Sequence, residues 1–214
     1  MNLFVAIPAY DGTVCVETVR ALLNEQGVAL SAGVDFRVAF IPGCSLITMA
    51  RNQAVTEFLA TDADKLIFID SDVSWQPGEI IKLASHPVDF VGGAYRLKQE
   101  AEAYPVGFIE GELWAKDGLL EVDTLPGGFL ALSRKVFDDL KAAMPRPYSH
   151  FAYEGNAYFH APYQHGRLYG EDSAFCHDWR AIGGKVWLDP ELELTHHAQG
   201  RAFPGHIGRW LKGR

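Results

Sequence analysis

The chain has 214 residues, 48% of them hydrophobic and 21% charged, which is enough for one domain with a substantial core and short for two. Its 27 acidic residues against 19 basic ones leave a formal charge of −8, which argues against a protein held to nucleic acid or anionic lipid by a general basic field. No apolar run approaches the ~20 residues of a membrane helix, no basic, cleavable leader opens the chain, and Cys15, Cys44 and Cys176 form no CxxC pair. The expectation is a soluble protein of the reducing cytoplasm.

The run Leu3-Phe4-Val5-Ala6-Ile7 closes at Pro8-Ala9-Tyr10-Asp11-Gly12 and predicts a strand buried on both faces, followed by a loop. Val16, Val19, Ala21, Leu22 and Leu23 predict a helix from Thr13 to about Asn24, with Gly27 as its stop. Phe36 to Ile41 predicts a second strand and Ser45 to Leu59 a second helix. Lys65 to Asp70 is the most strand-like stretch of the chain. This alternation is that of an α/β domain with a largely parallel sheet. A short helix from Pro77 to Ala84, a strand at Val88 to Gly93, and antiparallel strands within Val106 to Val122 follow. Further on come a strand at Gly127 to Leu132, a helix from Lys135 to Met144, another from Glu171 to Ile182, and a strand at Lys185 to Leu188. Tyr148 to Tyr169 holds five of the eight tyrosines with His150, His160 and His165 and little periodicity, which predicts a long aromatic loop of the kind that often carries function. The end is Gly-rich and basic.

Asp70-Ser71-Asp72 closes the Lys65 to Ile69 strand. Ligands of α/β sheets gather beyond the carboxyl ends of the strands, so these side chains belong at the mouth of a crevice. Two adjacent carboxylates raise each other's pKa unless a cation neutralises them, and their hard oxygens suit Mg²⁺ or Mn²⁺. The plain alternative is a capping and a solvated aspartate. Glu171 and Asp172 precede an apolar helical run, where they are good helix-start residues or, at a cleft, a general base. His196 follows a strand and a turn, where an imidazole can complete a metal site beside a carboxylate.

In order along the chain, Ile7-Pro8-Ala9-Tyr10-Asp11-Gly12, Ala50-Arg51-Asn52, Phe68-Ile69-Asp70-Ser71-Asp72, Pro126-Gly127-Gly128-Phe129-Leu130-Ala131-Leu132-Ser133, Glu171-Asp172 with Phe175-Cys176, and Asp189-Pro190 leading to His196 resemble a GT-A-fold glycosyltransferase. The resemblance is to the inverting family 2 group and its small stand-alone bacterial and phage versions. It implies a single α/β domain with a mostly parallel central sheet and a smaller mixed C-terminal portion. The donor half would span about 1–95, the acceptor half about 96–200, and a basic tail 201–214. It implies sugar transfer from a nucleotide-diphosphate sugar to an acceptor hydroxyl, with Mn²⁺ or Mg²⁺ on the diphosphate as Lewis acid. Asp72 and His196 would hold the metal, and Asp70 and Ser71 would face the donor. Arg51 would approach the diphosphate, and Pro8, Ala9, Tyr10 and Asp11 would frame the nucleoside. Asp172 would be the base, Glu171 would orient it or bind acceptor, and Gly127 and Gly128 would let the acceptor come close. His197 beside His196 leaves the ligand register open by one residue.

Two other readings compete. A haloacid-dehalogenase-type phosphatase also uses a DxD strand end, but its motif stands near the chain start and is not followed by a residue such as Ser74. A nucleotide-sugar-binding module without chemistry is the other. A Rossmann dehydrogenase lacks its Gly-rich turn here. The basic end, with Arg201, His206, Arg209, Lys212 and Arg214, is expected to fold over the diphosphate or to fray.

Overall fold

A computed structural model describes residues 1–111, 114–150, 153–164, 166–198 and 200–213, without the side chain of His150. The side chain of His150, His165 and Arg214 therefore lie outside the described residues. The elements run β1 (Asn2–Ala9), α1 (Val16–Ser31), β2 (Asp35–Pro42), α2 (Ile47–Leu59), β3 (Lys65–Ile69), β4 (Val73–Trp75), α3 (Glu79–Ser85) and β5 (Phe90–Gly92). They continue with β6 (Ala115–Lys116), β7 (Leu119–Val122), β8 (Phe129–Ser133), α4 (Arg134–Ala143), the hairpins β9 (Pro147–His150) with β10 (Tyr153–Asn156) and β11 (Tyr163–Gln164) with β12 (Arg167–Leu168), α5 (Glu171–Ala181), β13 (Val186–Leu188), β14 (Leu194–Ala198), β15 (Arg201–Gly205) and α6 (Ile207–Lys212).

Eight strands form the main sheet in the order β2-β1-β3-β8-β5-β13-β7-β6. The chain is α/β, as expected, but the sheet is mixed rather than mostly parallel. The pairs β1–β2, β1–β3 and β5–β13 are parallel, whereas β8 inserts antiparallel between β3 and β5, and β7 pairs antiparallel with β13 and β6. Insertion of β8 places Gly127 and Gly128, which lead into it, beside the carboxyl end of β3.

The alternation along β1 and β3 sends side chains into two cores. Phe4, Ala6, Leu66 and Phe68 meet α2, α4 and α5 on one face, and Leu3, Val5, Ile7, Ile67 and Ile69 meet α1 and α3 on the other. Each such fully buried Phe, Leu or Ile contributes on the order of 1.5–3 kcal/mol of transfer free energy. Helix α1 does not stop at Gly27. It runs on to Ser31 with Ala29 buried beyond the glycine, and tertiary packing overrides the modest cost of a mid-helix glycine.

Glu25 is fully buried and joins α1 to α3. Its Oε2 accepts from Trp75 Nε1 at 3.2 Å and the Gly78 amide at 2.7 Å, and its Oε1 accepts from the Ile81 amide at 3.0 Å. A carboxylate from another helix thus caps the free N–H groups at the start of α3 and complements its dipole. Glu25→Ala leaves the buried Trp75 indole and two half-buried amides without an acceptor and should lower the unfolding free energy by about 3 kcal/mol. Urea denaturation checks this, and a loss within 0.5 kcal/mol would mean that water replaces the carboxylate.

Asp189, directly after β13, has a side chain only 3% exposed and accepts from Lys82 at 3.0 Å, His86 Nε2 at 3.0 Å and the Glu191 amide at 3.0 Å. Burial pushes its pKa up, but the bonds from His86, the Glu191 amide and Lys82 outweigh that and hold it below the usual aspartate value. The stabilisation is complete above the unfolded-state value of about 3.9 and is lost as pH falls through the lower folded-state value. Asp189→Asn should therefore flatten the acid side of the stability profile, measured as urea midpoints from pH 6 down to 3; an unchanged slope would contradict this.

The last segment is folded as far as it is described, to Gly213. β15 pairs with β14, and α6 buries Ile207. The residues expected to reach for a diphosphate are occupied locally: Arg201 with Glu100, Arg209 with Glu193, and Lys212 and His206 with Glu191.

Candidate active site

Asp70, Ser71 and Asp72 leave the carboxyl end of β3 as a turn that feeds directly into β4. β4 pairs antiparallel with β14, with His196 opposite Val73, and the Asp72 carbonyl accepts from the His197 amide at 2.8 Å. This three-stranded sheet, β15-β14-β4, carries a histidine from far along the chain to the acidic turn. Side chains alternate across a strand, so the two histidines part. His196 Nε2 lies 3.4 Å from Asp72 Oδ1, whereas His197 Nε2 lies 2.8 Å from Ser74 Oγ. His196 Nδ1 is 3.0 Å from the Arg96 carbonyl, which accepts from Nδ1–H and so orients the ring with Nε2 toward Asp72.

The Asp72 carboxylate also bonds Lys98 Nζ. Its partial burial raises the pKa, but the hydrogen bonds and charges of His196 and Lys98 prevail and lower it. An anionic carboxylate already holding a cation next to an oriented imidazole is a donor set that suits a hard divalent metal.

Arg51 lies on the inner face of α2, with its side chain 3% exposed. Its guanidinium donates to Asp70 Oδ1 at 3.0 Å, the Gly127 carbonyl at 2.9 Å and Glu171 Oε1 at 3.3 Å, and it sits over the Phe68 ring at 5.1 Å. Burial works against the guanidinium charge, and the Asp70 and Glu171 carboxylates more than offset it. The other Asp70 oxygen accepts from the Tyr95 hydroxyl at 2.9 Å. Burial first, and then the Asp70 charge, push that phenol well above the ordinary tyrosine range, so it stays a donor.

A cleft of about 470 Å³ opens over these groups, lined among others by Pro8, Tyr10, Ser45, Arg51, Asp70, Ser71, Asp72, Tyr95, Lys98, Glu171 and His196. Most of the residues singled out in the sequence thus meet in one place. Ala9 is buried within β1. Asp11 folds back on the Thr13 amide and hydroxyl and faces a neighbouring cleft. Asp172 stands in the first turn of α5, where its Oδ1 accepts from the Ser173 amide at 2.7 Å and its charge reaches Tyr95. Gly127 and Gly128 press against the site from below: an added Cβ would meet Arg51 Nη2 at 2.7 Å in the first and Asp70 Oδ2 at 2.1 Å in the second. Close packing therefore disfavours a side chain at both positions, most strongly at Gly128, whether or not an acceptor passes there.

Sequence reasoning missed Tyr95 and Lys98. The signal was available, because both follow the carboxyl end of the predicted Val88 to Gly93 strand. The aromatic segment divides in two. Tyr158 and Phe159 are buried and pinned by Asn52, whose Oδ1 accepts from both amides and whose Nδ2 donates to the Phe159 carbonyl. The β11–β12 hairpin leaves Tyr163 and Leu168 exposed.

No family model matches the chain, and no curated protein matches it in sequence. Among described residues no helix is long and apolar enough to cross a membrane. Among solved structures it is similar to the A197 protein from STIV, at 20% identity and a TM-score of 0.58, over 94% of this chain and 88% of that one. It is also similar to GalNAc-T7 with UDP, GalNAc and Mn²⁺, at 14% identity and a TM-score of 0.52. That match covers 94% of this chain and 45% of the other, so the chain spans less than half the length of GalNAc-T7. At these identities the likeness establishes the architecture alone, and that architecture is GT-A-like.

Proposed function

We propose that the protein is a metal-dependent glycosyltransferase that moves a sugar from a nucleotide-diphosphate sugar to an acceptor hydroxyl with inversion. The observation that carries this reading is the pairing of Asp72 with His196, its ring oriented by the Arg96 carbonyl, in the same cleft as Arg51 and Lys98. Asp72 and His196 would hold Mn²⁺ or Mg²⁺, which when bound stabilises the departing diphosphate as a Lewis acid. The neighbour crystallised with UDP, GalNAc and Mn²⁺ supports this class of ligand.

Pro8 and Tyr10 provide a wall for the nucleoside, and Asp11 helps set the turn that shapes it. Asp70 and Ser71 face the ribose and sugar. Arg51 keeps Asp70 fixed and presents a positive potential to the donor. Lys98, which now bonds Asp72, would be free to pair with the diphosphate were a divalent cation held there instead. Glu171 is tied to Arg51 and is thereby a positioning group, which leaves Asp172 as the freer carboxylate to take the acceptor proton during in-line attack. Exposed Tyr163 and its hairpin offer an aromatic surface to the acceptor.

Donor hydrolysis followed with and without Mn²⁺ tests the reading. The wild type should release nucleoside diphosphate in a Mn²⁺-dependent way, and Asp72→Asn or His196→Ala should lower that rate by about 100-fold or more. Full activity in either variant removes that residue from the metal site. Donor binding without turnover would instead favour a binding module.

A further inference from the structure

Next to the donor cleft, and sharing Ser71, Asp72 and Lys98 with it, a second cleft of about 550 Å³ is bordered by the start of α1 and the β14–β15 hairpin. Cys15 Sγ, the Glu17 carboxylate and a ring nitrogen of His197 offer ligand atoms there that all lie within 4.8 Å of one another. We propose that Cys15, Glu17 and His197 form a second, thiolate-containing site for a borderline-soft divalent cation of the Zn²⁺ class, distinct from the Asp72–His196 pair.

The chemistry of the donors sets the ion. A thiolate, an imidazole and a carboxylate are a Zn²⁺ set, with bond lengths of about 2.0–2.3 Å and a fourth position left for water or a ligand in the cleft. Donors around a tetrahedral ion of that size stand roughly 3.3–3.8 Å apart, so a small rotamer adjustment closes the triad. The Cys15 thiol already donates to Glu17 Oε2 at 2.6 Å. The cation takes the place of that proton, which leaves to solvent as the Cys15 thiolate–metal bond forms. Ser74 Oγ, 2.8 Å from His197 Nε2, holds the ring in place.

Position gives the site a consequence. The Cys15 amide donates to the Ser71 carbonyl, Thr18 Oγ1 donates to the same carbonyl at 3.3 Å, and the His197 amide donates to the Asp72 carbonyl. A cation bridging Cys15, Glu17 and His197 therefore clamps the Ser71–Asp72 turn between α1 and β14. It would fix the geometry of the turn from the α1 side, through residues that line the second cleft and not the donor cleft.

Co²⁺ titrated into the 214-residue chain gives the test, because a thiolate ligand produces a near-ultraviolet charge-transfer band that oxygen and nitrogen ligands do not. The expected result is a saturable band that Zn²⁺ displaces. Cys15→Ser should abolish the band. Serine is a good residue at the helix N-cap position that Cys15 occupies, so the circular dichroism spectrum should not change. Glu17→Gln and His197→Gln should each weaken Co²⁺ binding by about tenfold or more. Cys44→Ser and Asp72→Asn should leave the band in place, which separates this site from the Mn²⁺ reading above. No band, a band that survives Cys15→Ser, or one lost on Cys44→Ser or Asp72→Asn would overturn the proposal.

Discussion

Replacing Arg51 by alanine is expected to lower the unfolding free energy by about 3–5 kcal/mol, a large share of the roughly 5–15 kcal/mol that holds a domain of this kind together. The guanidinium is the common partner of Asp70, Glu171 and the Gly127 carbonyl. Without it, two partly buried carboxylates face each other across a cavity, and a buried carbonyl loses its donor. Arg51→Lys separates stability from function. A lysine keeps the charge but cannot span three acceptors with a planar fork, so the protein should fold with a smaller loss while donor turnover falls strongly. Adding Asp70→Asn and Glu171→Gln to Arg51→Ala should restore part of the stability and none of the activity. Urea midpoints and donor hydrolysis measured on the same variants decide the matter. If Arg51→Ala is as stable as the wild type, the cluster does not hold the cleft together.

Gly128→Ala should be nearly as damaging to function through a single added methyl group. The new Cβ would lie 2.1 Å from Asp70 Oδ2 and 2.7 Å from the Tyr95 hydroxyl, closer than any real contact, and the Asp70 amide is also bonded to the Gly128 carbonyl at 3.0 Å. Either Asp70 leaves Arg51 and Tyr95, or the start of β8 moves away from β3. Displacements near 1 Å at a positioning group cost on the order of 100-fold in rate, and that is the expected loss in donor turnover. Gly127→Ala acts on Arg51 in the same way, more mildly, because Nη2 can shift. The telling control is Gly118→Ala, remote from the cleft. Gly118 has φ of +82° with open space around its Cβ position, so it should cost some stability and leave turnover intact.

The parts of the fold that were legible in the sequence are those where period and burial coincide. β1 and β3 are buried on both faces and read as continuous apolar runs, and α2, α4 and α5 carry regular apolar faces. The sheet's mixed character was not legible, because β8 looks the same whether it runs parallel or antiparallel to its neighbours. β4, β14 and β15 escaped notice because a three-residue strand carries no period, and His196 and His197 interrupt the apolar pattern of β14. Their pairing is what brings His196 to Asp72, so the proposed metal-ligand geometry depended on elements invisible in the sequence. Glu25 is the clearest case of a hidden determinant. In the sequence it is one acid of a polar helix face, and only the packing of α1 against α3 gives it three donors to hold. Arg51 could be anticipated as a site residue by resemblance, but its burial against Phe68 and Phe159 and its triple engagement could not.

The central claim is that Asp72 and His196 form the cation site of a nucleotide-sugar cleft. The most direct measurement is anomalous diffraction at the manganese edge from crystals grown with Mn²⁺ and UDP. The expected result is a single strong peak between the Asp72 carboxylate and His196 Nε2, next to the diphosphate, with Lys98 displaced from Asp72. Bound nucleotide with no manganese at that position, or manganese found only at Cys15, Glu17 and His197, would contradict it.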